Sequence, residues 1–246
     1  MSDSSGATRD ECGVVTYTIN QPATRNALST RVLQDIDDTL RTLADDASVR
    51  VIVVTGAATT FSSGADRAEL ADPATIRRTT DLLTSILTRI DESPVPVVCR
   101  VNGAAFGAGL AILAAADISI ATDDALFGLP EVRFGLVAGP AAAACLRRIG
   151  QTAALDVLLT GRRFEAAEAE RMHLLAKVVR RDELDAAIER CIAELLLGDP
   201  DAVTATRRMV RRLSGTGLAE RVRAACDAGE AVLEASGAAL SPVAAE

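Results

Sequence analysis

Two kinds of residue with chemical potential lie close together between Pro94 and Pro140. One is a run of small residues, Asn102-Gly103-Ala104-Ala105-Phe106-Gly107-Ala108-Gly109, set between a β-branched stretch and an alanine-rich one. The other, about one helical element further on, is a carboxylate among apolar neighbours, Gly128-Leu129-Pro130-Glu131-Val132. Small side chains let backbone N–H groups approach a ligand closely, and an apolar setting tunes a carboxylate as a base. Together they point to a site that stabilises an oxyanion and moves a proton.

Other chemistries find little support. The chain has one histidine, His173, and no Gly-x-Ser-x-Gly elbow, so a Ser-His mechanism has no framework. Five cysteines, Cys12, Cys99, Cys145, Cys191 and Cys226, are widely spaced without a Cys-x-x-Cys pair. They read as free thiols in a reducing compartment, with neither a disulfide framework nor a metal site. The net charge of −8 argues against nucleic acid as the main partner. Lys177 is the only lysine, so nearly every positive charge is an arginine.

At 246 residues, 49% of them hydrophobic, the chain is long enough to bury a substantial core. Its richest apolar stretch, Val101 to Ala116, is interrupted by glycines and stops at Asp117, which reads as a buried helix with its entry loop, not a membrane span. The start, MSDSSGATRDE, is polar and lacks the apolar centre of a signal peptide, so a cytoplasmic protein is expected. Residues 1–12 are expected to form a disordered lead, 13–195 the core, and 196–246 a helical region with a loose tail after Ala235.

The positioning elements alternate. Val14 to Ile19 reads as a strand; Leu28, Val32, Ile36, Leu40 and Leu43 then recur at helical spacing, with Ser29 as N-cap. Val51 to Thr55 is a short apolar run suited to a strand buried on both faces. Ile76, Leu83, Ile86, Leu87 and Ile90 mark a second helix, broken at Ser93-Pro94, and Val95 to Val101 is the next strand. A helix beginning near Phe106 leads to the strand Asp117 to Ala121. Strands alternating with helices imply an α/β fold with parallel strands joined by right-handed crossovers. After Pro140 the pattern is mostly helical, and Asp199-Pro200 and the Gly215–Gly217 pair separate the last two helices.

Read in register, the chain from Val14 to about Arg212 resembles the crotonase superfamily, the enoyl-CoA hydratase/isomerase group. The resemblance rests on Asn26-Ala27-Leu28, on Phe61-Ser62-Ser63-Gly64-Ala65-Asp66, and on Pro94 to Asp117. It continues through Phe127 to Glu131, Gly135-Leu136, Ile149-Gly150, Leu158 to Gly161 and Ala166 to Ala169. It implies a spiral of repeated ββα units with a C-terminal helical region, assembled as a homotrimer or a dimer of trimers. It also implies an acyl-CoA thioester substrate and no cofactor or metal beyond the CoA that the substrate carries.

Carried over by position, the resemblance makes Ala65 and Ala108 the backbone donors to the thioester oxygen, with alanine at Ala108 where glycine is usual. Ser62, Ser63, Gly64, Asp66 and Gly107 fall in the substrate-binding segments, with 62–67 near the CoA adenine mainly through backbone; the Asp66 carboxylate itself reads as structural. Arg25 is a candidate for the CoA phosphates, and Arg207 or Arg211 stands in for the family's C-terminal lysine. Glu131 is the acid/base.

Hydratases of the family carry a further glutamate two residues after the small-residue turn, where this chain has Ala111. Hydration divides naturally between two carboxylates, whereas moving a double bond needs one proton carrier. The single glutamate resembles the Δ3-Δ2 enoyl-CoA isomerases. Dienoyl-CoA isomerases favour an Asp in the stretch that here reads Leu136-Val137-Ala138-Gly139. Hydration by Glu131 alone, and a non-catalytic acyl-CoA-binding subunit, are the alternatives. His173 reads as a helix-end residue in a left-handed turn, and the alanines from Ala138 to Ala144 as close helix packing.

Overall fold

A computed structural model describes residues 5–213 together with Gly217, Glu220, Val222, Arg223, Cys226 and Asp227. Two sheets organise the chain. The larger has the order β1-β2-β3-β5-β7-β10, built from Gly6–Arg9, Val14–Ile19, Val51–Gly56, Val97–Val101, Ile118–Thr122 and Lys177–Val179. All its neighbours are parallel except β1, which runs antiparallel to β2. The smaller has the order β4-β6-β8-β9, from Thr60–Ser62, Ala104–Phe106, Leu126–Gly128 and Arg163–Glu165.

Each turn of the chain gives one strand to the large sheet and the next, short strand to the small one, then crosses back. β3 and β4 lead into helix α2 (Pro73–Glu92), and β5 and β6 into α3 (Gly107–Ala115). This is the expected winding of ββα units. Helix α1 (Thr30–Ala44) precedes it, with the Ser29 hydroxyl accepting from the Val32 N–H at 3.3 Å as an N-cap. After β8, a 3-10 turn over Pro130–Phe134 leads to α4 (Gly139–Leu146) and α5 (Gly150–Thr160). Helices α6 (Ala166–Arg171), α7 (Leu184–Leu197) and α8 (Pro200–Leu213) complete the described elements.

Every residue of β3 and of α3 is buried, which explains their almost wholly apolar composition; the Thr55 hydroxyl in β3 donates to the Arg100 carbonyl. The alanines of α4 pack against α3, whose own small residues permit the approach. His173 adopts φ +64 just after α6, the expected left-handed turn. Two expectations need correction. The lead over residues 1–12 is not disordered throughout, because Gly6–Arg9 pairs with β2. The boundary at 195/196 falls inside α7, which runs unbroken to Leu197. The tail after Ala235 lies outside the described residues.

A buried ion-pair cluster ties α8 to the core. Arg207 Nε donates to Asp117 Oδ2 at 2.8 Å and its Nη1 to the Ser93 carbonyl at 2.6 Å. Arg211 bonds Asp117 Oδ1 at 2.7 Å and also Asp91. Arg147 reaches Asp91 at 2.5 Å, and Arg148 donates to the carbonyls of Ala114, Ala116 and Asp117. These arginines satisfy carbonyls at the C-terminal ends of α2 and α3, where cations are favoured. Burial opposes ionisation of Asp117, but the charges of Arg207 and Arg211 outweigh it and hold the carboxyl below its usual range.

A carboxyl with a depressed pKa contributes stability above its unfolded pKa and loses it as pH falls through the folded value. Asp117→Asn should therefore lower stability at pH 7 by on the order of 3 kcal/mol. The deficit should shrink below about pH 4 as wild-type Asp117 is protonated. Urea denaturation at the two pH values measures both.

Candidate active site

The two loops singled out in the sequence meet at the N-terminal end of α3. Gly64, with φ +93, follows β4, and a methyl group there would lie 2.9 Å from the Phe106 carbonyl oxygen and 3.7 Å from the Ala108 nitrogen. Gly109 meets Ser62 equally closely: an added methyl would stand 2.6 Å from Ser62 Cβ. Only glycine permits the first contact, because the conformation and the space both exclude a side chain.

The remaining bonds of the first loop fix its direction. Leu28 N–H donates to the Gly64 carbonyl at 2.8 Å, and Asp66 N–H donates to the Leu28 carbonyl at 3.1 Å. In this parallel bridge, Ala65 turns its own N–H away from Leu28. Ala108 lies in the first turn of α3, where N–H groups have no intrahelical acceptor and the helix end is partially positive. Among the described residues neither N–H has an acceptor. The fold thus leaves two backbone donors available on two adjoining segments.

Asn26 anchors this arrangement. Fully buried with φ +57, it donates from Nδ2 to the Ala57 and Thr60 carbonyls at 2.9 and 2.7 Å, and its Oδ1 accepts from Gln21 N–H at 2.9 Å. Ser62 Oγ donates to the Asn26 carbonyl at 2.8 Å and accepts from Gly64 N–H at 3.1 Å. Ser62 is therefore an internal pin of the loop. Ser63 bonds the Thr24 carbonyl through its hydroxyl and the Arg25 carbonyl through its N–H, both at 3.0 Å. The Arg25 side chain is exposed beside this loop. Asp66 accepts from Ala68 N–H at 3.0 Å, a local turn that agrees with a structural carboxylate.

Glu131 reaches the same end of α3 on the 3-10 turn Pro130–Phe134. A methyl group at Gly107, φ +49, would lie 2.7 Å from Glu131 Oε1, so the bare Cα makes room for the carboxylate. Oε2 is buried without a hydrogen-bond partner. Burial pushes the carboxyl up to about 7, offset only in part by its own backbone N–H. One helical turn beyond Gly107, on the same face of α3, stands the fully buried methyl of Ala111. Of the other carboxylates, Asp66 accepts from Ala68 N–H in its own turn and Asp124 pairs with Arg181 at 2.8 Å.

The expectation that Arg207 or Arg211 reaches the CoA phosphates is not met. Both are committed to Asp91 and Asp117 at the C-terminal end of α3, about 12 Å along the helix from Gly107 at 1.5 Å per residue. Sequence reading also missed the internal role of Asn26, since nothing in Asn-Ala-Leu shows which carbonyls the side chain will meet.

A spiral of ββα turns that brings together a helix N-terminus, a glycine-bearing loop and one glutamate with a buried carboxyl is the architecture of the crotonase class. The chain belongs to the enoyl-CoA hydratase/isomerase family, whose model matches residues 9–232. It is 31% identical over 201 residues to the 2,3-dehydroadipyl-CoA hydratase of Escherichia coli, covering 81% of this chain and 78% of that one. It is 36% identical over 168 residues to a Mycobacterium bovis protein named "Probable enoyl-CoA hydratase echA8", a match spanning 68% of this chain but 65% of the relative. The crystal structure of an enoyl-CoA hydratase from Mycobacterium smegmatis superposes with a TM-score of 0.83 at 31% identity, covering 92% of this chain and 89% of the other.

An acid whose pKa is raised on folding binds its proton more tightly in the folded state, so its burial costs stability above the unfolded pKa. Glu131→Gln should accordingly be more stable than wild type above pH 7, by on the order of 1–3 kcal/mol. The gain should fade below about pH 4, where the unfolded chain is protonated too. Denaturant titrations of both proteins across this range give the difference directly.

Proposed function

We propose that the protein binds an acyl-CoA thioester and moves its double bond from the Δ3 to the Δ2 position. One observation carries the choice of reaction: the methyl of Ala111, fully buried, stands one turn from Gly107, leaving Glu131, among the described residues, as the carboxyl beside the two donors. In this reading the thioester oxygen sits between the N–H groups of Ala65 and Ala108. The Glu131 carboxylate takes a proton from C2. The freed pair forms a C1–C2 double bond as the carbonyl π pair moves onto the thioester oxygen. When the carbonyl re-forms, the C1–C2 pair becomes the C2–C3 double bond, and the C3=C4 π pair takes the proton back from the same carboxyl at C4. Charge accumulates on the thioester oxygen in between, where each aimed donor is worth roughly 10²–10³ in rate. A carboxyl near pH 7 suits both halves of the shuttle, since it gains and loses the proton with little bias.

Gly107 and Gly64 contribute by leaving space, and Ser62, Ser63 and Asp66 by holding the loop. The exposed Arg25 is the candidate for the CoA phosphates. No cofactor is required beyond the CoA of the substrate. A homotrimer or a dimer of trimers remains part of the proposal, in keeping with the exposed Leu155 and Leu159 on one face of α5 and Val132 nearby; light scattering in solution tests it. A cytoplasmic setting is part of the proposal and fits the free thiols of Cys12, Cys99, Cys145 and Cys191.

Hydration is the second reading, favoured by the hydratase names of the similar proteins. Incubation with 3-enoyl- and 2-enoyl-CoA separates the two, because isomerisation preserves mass and hydration adds one water. The expected result is an isomer from the 3-enoyl ester; dominant hydration of the 2-enoyl ester would overturn it. Activity on the free enzyme should rise with pH through about 7 as Glu131 ionises. Glu131→Gln should lose about 10²–10⁴ in turnover. Ala108→Pro, which removes one donor at a first-turn position that accepts proline, should lose about 10²–10³ while keeping its circular dichroism.

A further inference from the structure

The turn that carries Glu131 is held on two sides. On one side, Arg133 Nε donates to the Thr160 carbonyl at 3.1 Å, tying the turn to the end of α5. On the other, the guanidinium carbon of Arg67 stands 4.5 Å from the centre of the Phe134 ring, the last residue of the turn. Arg67 belongs to the segment that follows Ala65, so its contact spans from the donor loop to the Glu131 turn.

That segment is anchored at its back. Asp66 N–H donates to the Leu28 carbonyl, and Glu69 Oε2 accepts from Thr30 N–H at 2.7 Å, at the start of α1. Leu70 N–H returns to the Arg67 carbonyl at 3.3 Å. The backbone is thus fixed to α1 while the Arg67 side chain reaches the other way. A cation over an aromatic face contributes modestly when partly solvated, enough to bias a closed form about two- to fivefold.

We propose that Arg67, acting through the Phe134 ring, is a positioning residue that latches the donor loop to the Glu131 turn and keeps water from the carboxyl. The inference rests on the reading of Glu131 as the proton carrier. It adds a cause for the choice of reaction: the clasped segments bury the carboxyl, and a base screened from solvent carries a proton in preference to activating water. Among the described residues, the elements around this carboxyl bring a thiol that registers its charge and two arginines whose charges do not move it. α4 brings the Cys145 thiol, raised to about 12 by burial and by the charge of Glu131, and α3 brings only Gly107 and Ala111. Arg133 lies on the same turn, and Arg67 on the donor segment.

The test compares Arg67→Ala, Phe134→Leu and Arg67→Lys with wild type. Carbon-13 NMR of the carboxyl groups, assigned with Glu131→Gln, reads the titration of Glu131, and mass analysis reads the products from 3-enoyl- and 2-enoyl-CoA. Opening the latch admits water and lowers the midpoint, by about half a unit for a fivefold loss of the closed form. Arg67→Ala and Phe134→Leu should both show this fall with at least a twofold rise in hydrated product; Arg67→Lys, which keeps a cation over the ring, should retain the wild-type values.

Phe134→Leu is decisive because it changes no charge. A folded Phe134→Leu protein with the wild-type midpoint overturns the latch, as does a midpoint that rises in Arg67→Ala, the signature of a simple charge effect. If the midpoint falls in both variants while wild type yields no isomer, the latch stands and the isomerase reading fails. If wild type isomerises and neither variant changes midpoint or products, the reading stands and the latch fails.

Discussion

The close approach of two backbone segments governs this molecule. The loop after β4 and the N-terminus of α3 come together at Gly64, Gly107 and Gly109, at distances that no side chain would allow. The approach brings Ala65 and Ala108 to neighbouring positions, and the bare Cα of Gly107 admits the Glu131 carboxylate. The interlocked strands β4, β6 and β8 hold it in place, and the Asn26 hydrogen bonds prevent the first loop from relaxing outward. The small residues are thus spatial requirements of a site made largely from main chain.

Electrostatics divides the protein along α3. At its N-terminal end, the helix offers partial positive charge beside a carboxyl that burial keeps near neutrality. At its C-terminal end, Asp91 and Asp117 draw in Arg147, Arg207 and Arg211 while Arg148 covers the carbonyls. The arginine-rich composition is partly explained by this second end, where planar donors satisfy carboxylates and carbonyls together. Charge that sequence reading assigned to the ligand is used to close the fold.

How much was legible depended on length and periodicity. Helix α1 with its Ser29 cap, the strands β2, β3, β5 and β7, and α2 up to Ser93-Pro94 all followed from apolar spacing and turn chemistry. The short strands β4, β6, β8 and β9 were hidden, because three residues cannot display a period of two. β1 was hidden by a polar sequence that leaves it exposed at the edge of the sheet. Within the site, Glu131 and the small-residue run could be seen in the sequence. Arg67 meeting Phe134 could not, since that contact joins segments far apart in the chain and has no local pattern.

The cluster beneath α3 also imposes an order of events during synthesis. Asp117 precedes its partner Arg207 by 90 residues, and Asp91 precedes Arg211 by 120. At about 5–20 residues per second, a nascent chain holds Asp117 without Arg207 for roughly 5–20 s, whereas Asp91 meets Arg147 after 56 residues and waits only for its second arginine. The core around α3 therefore reaches its final electrostatic balance only when α8 arrives, so the last described helix completes the packing instead of decorating it.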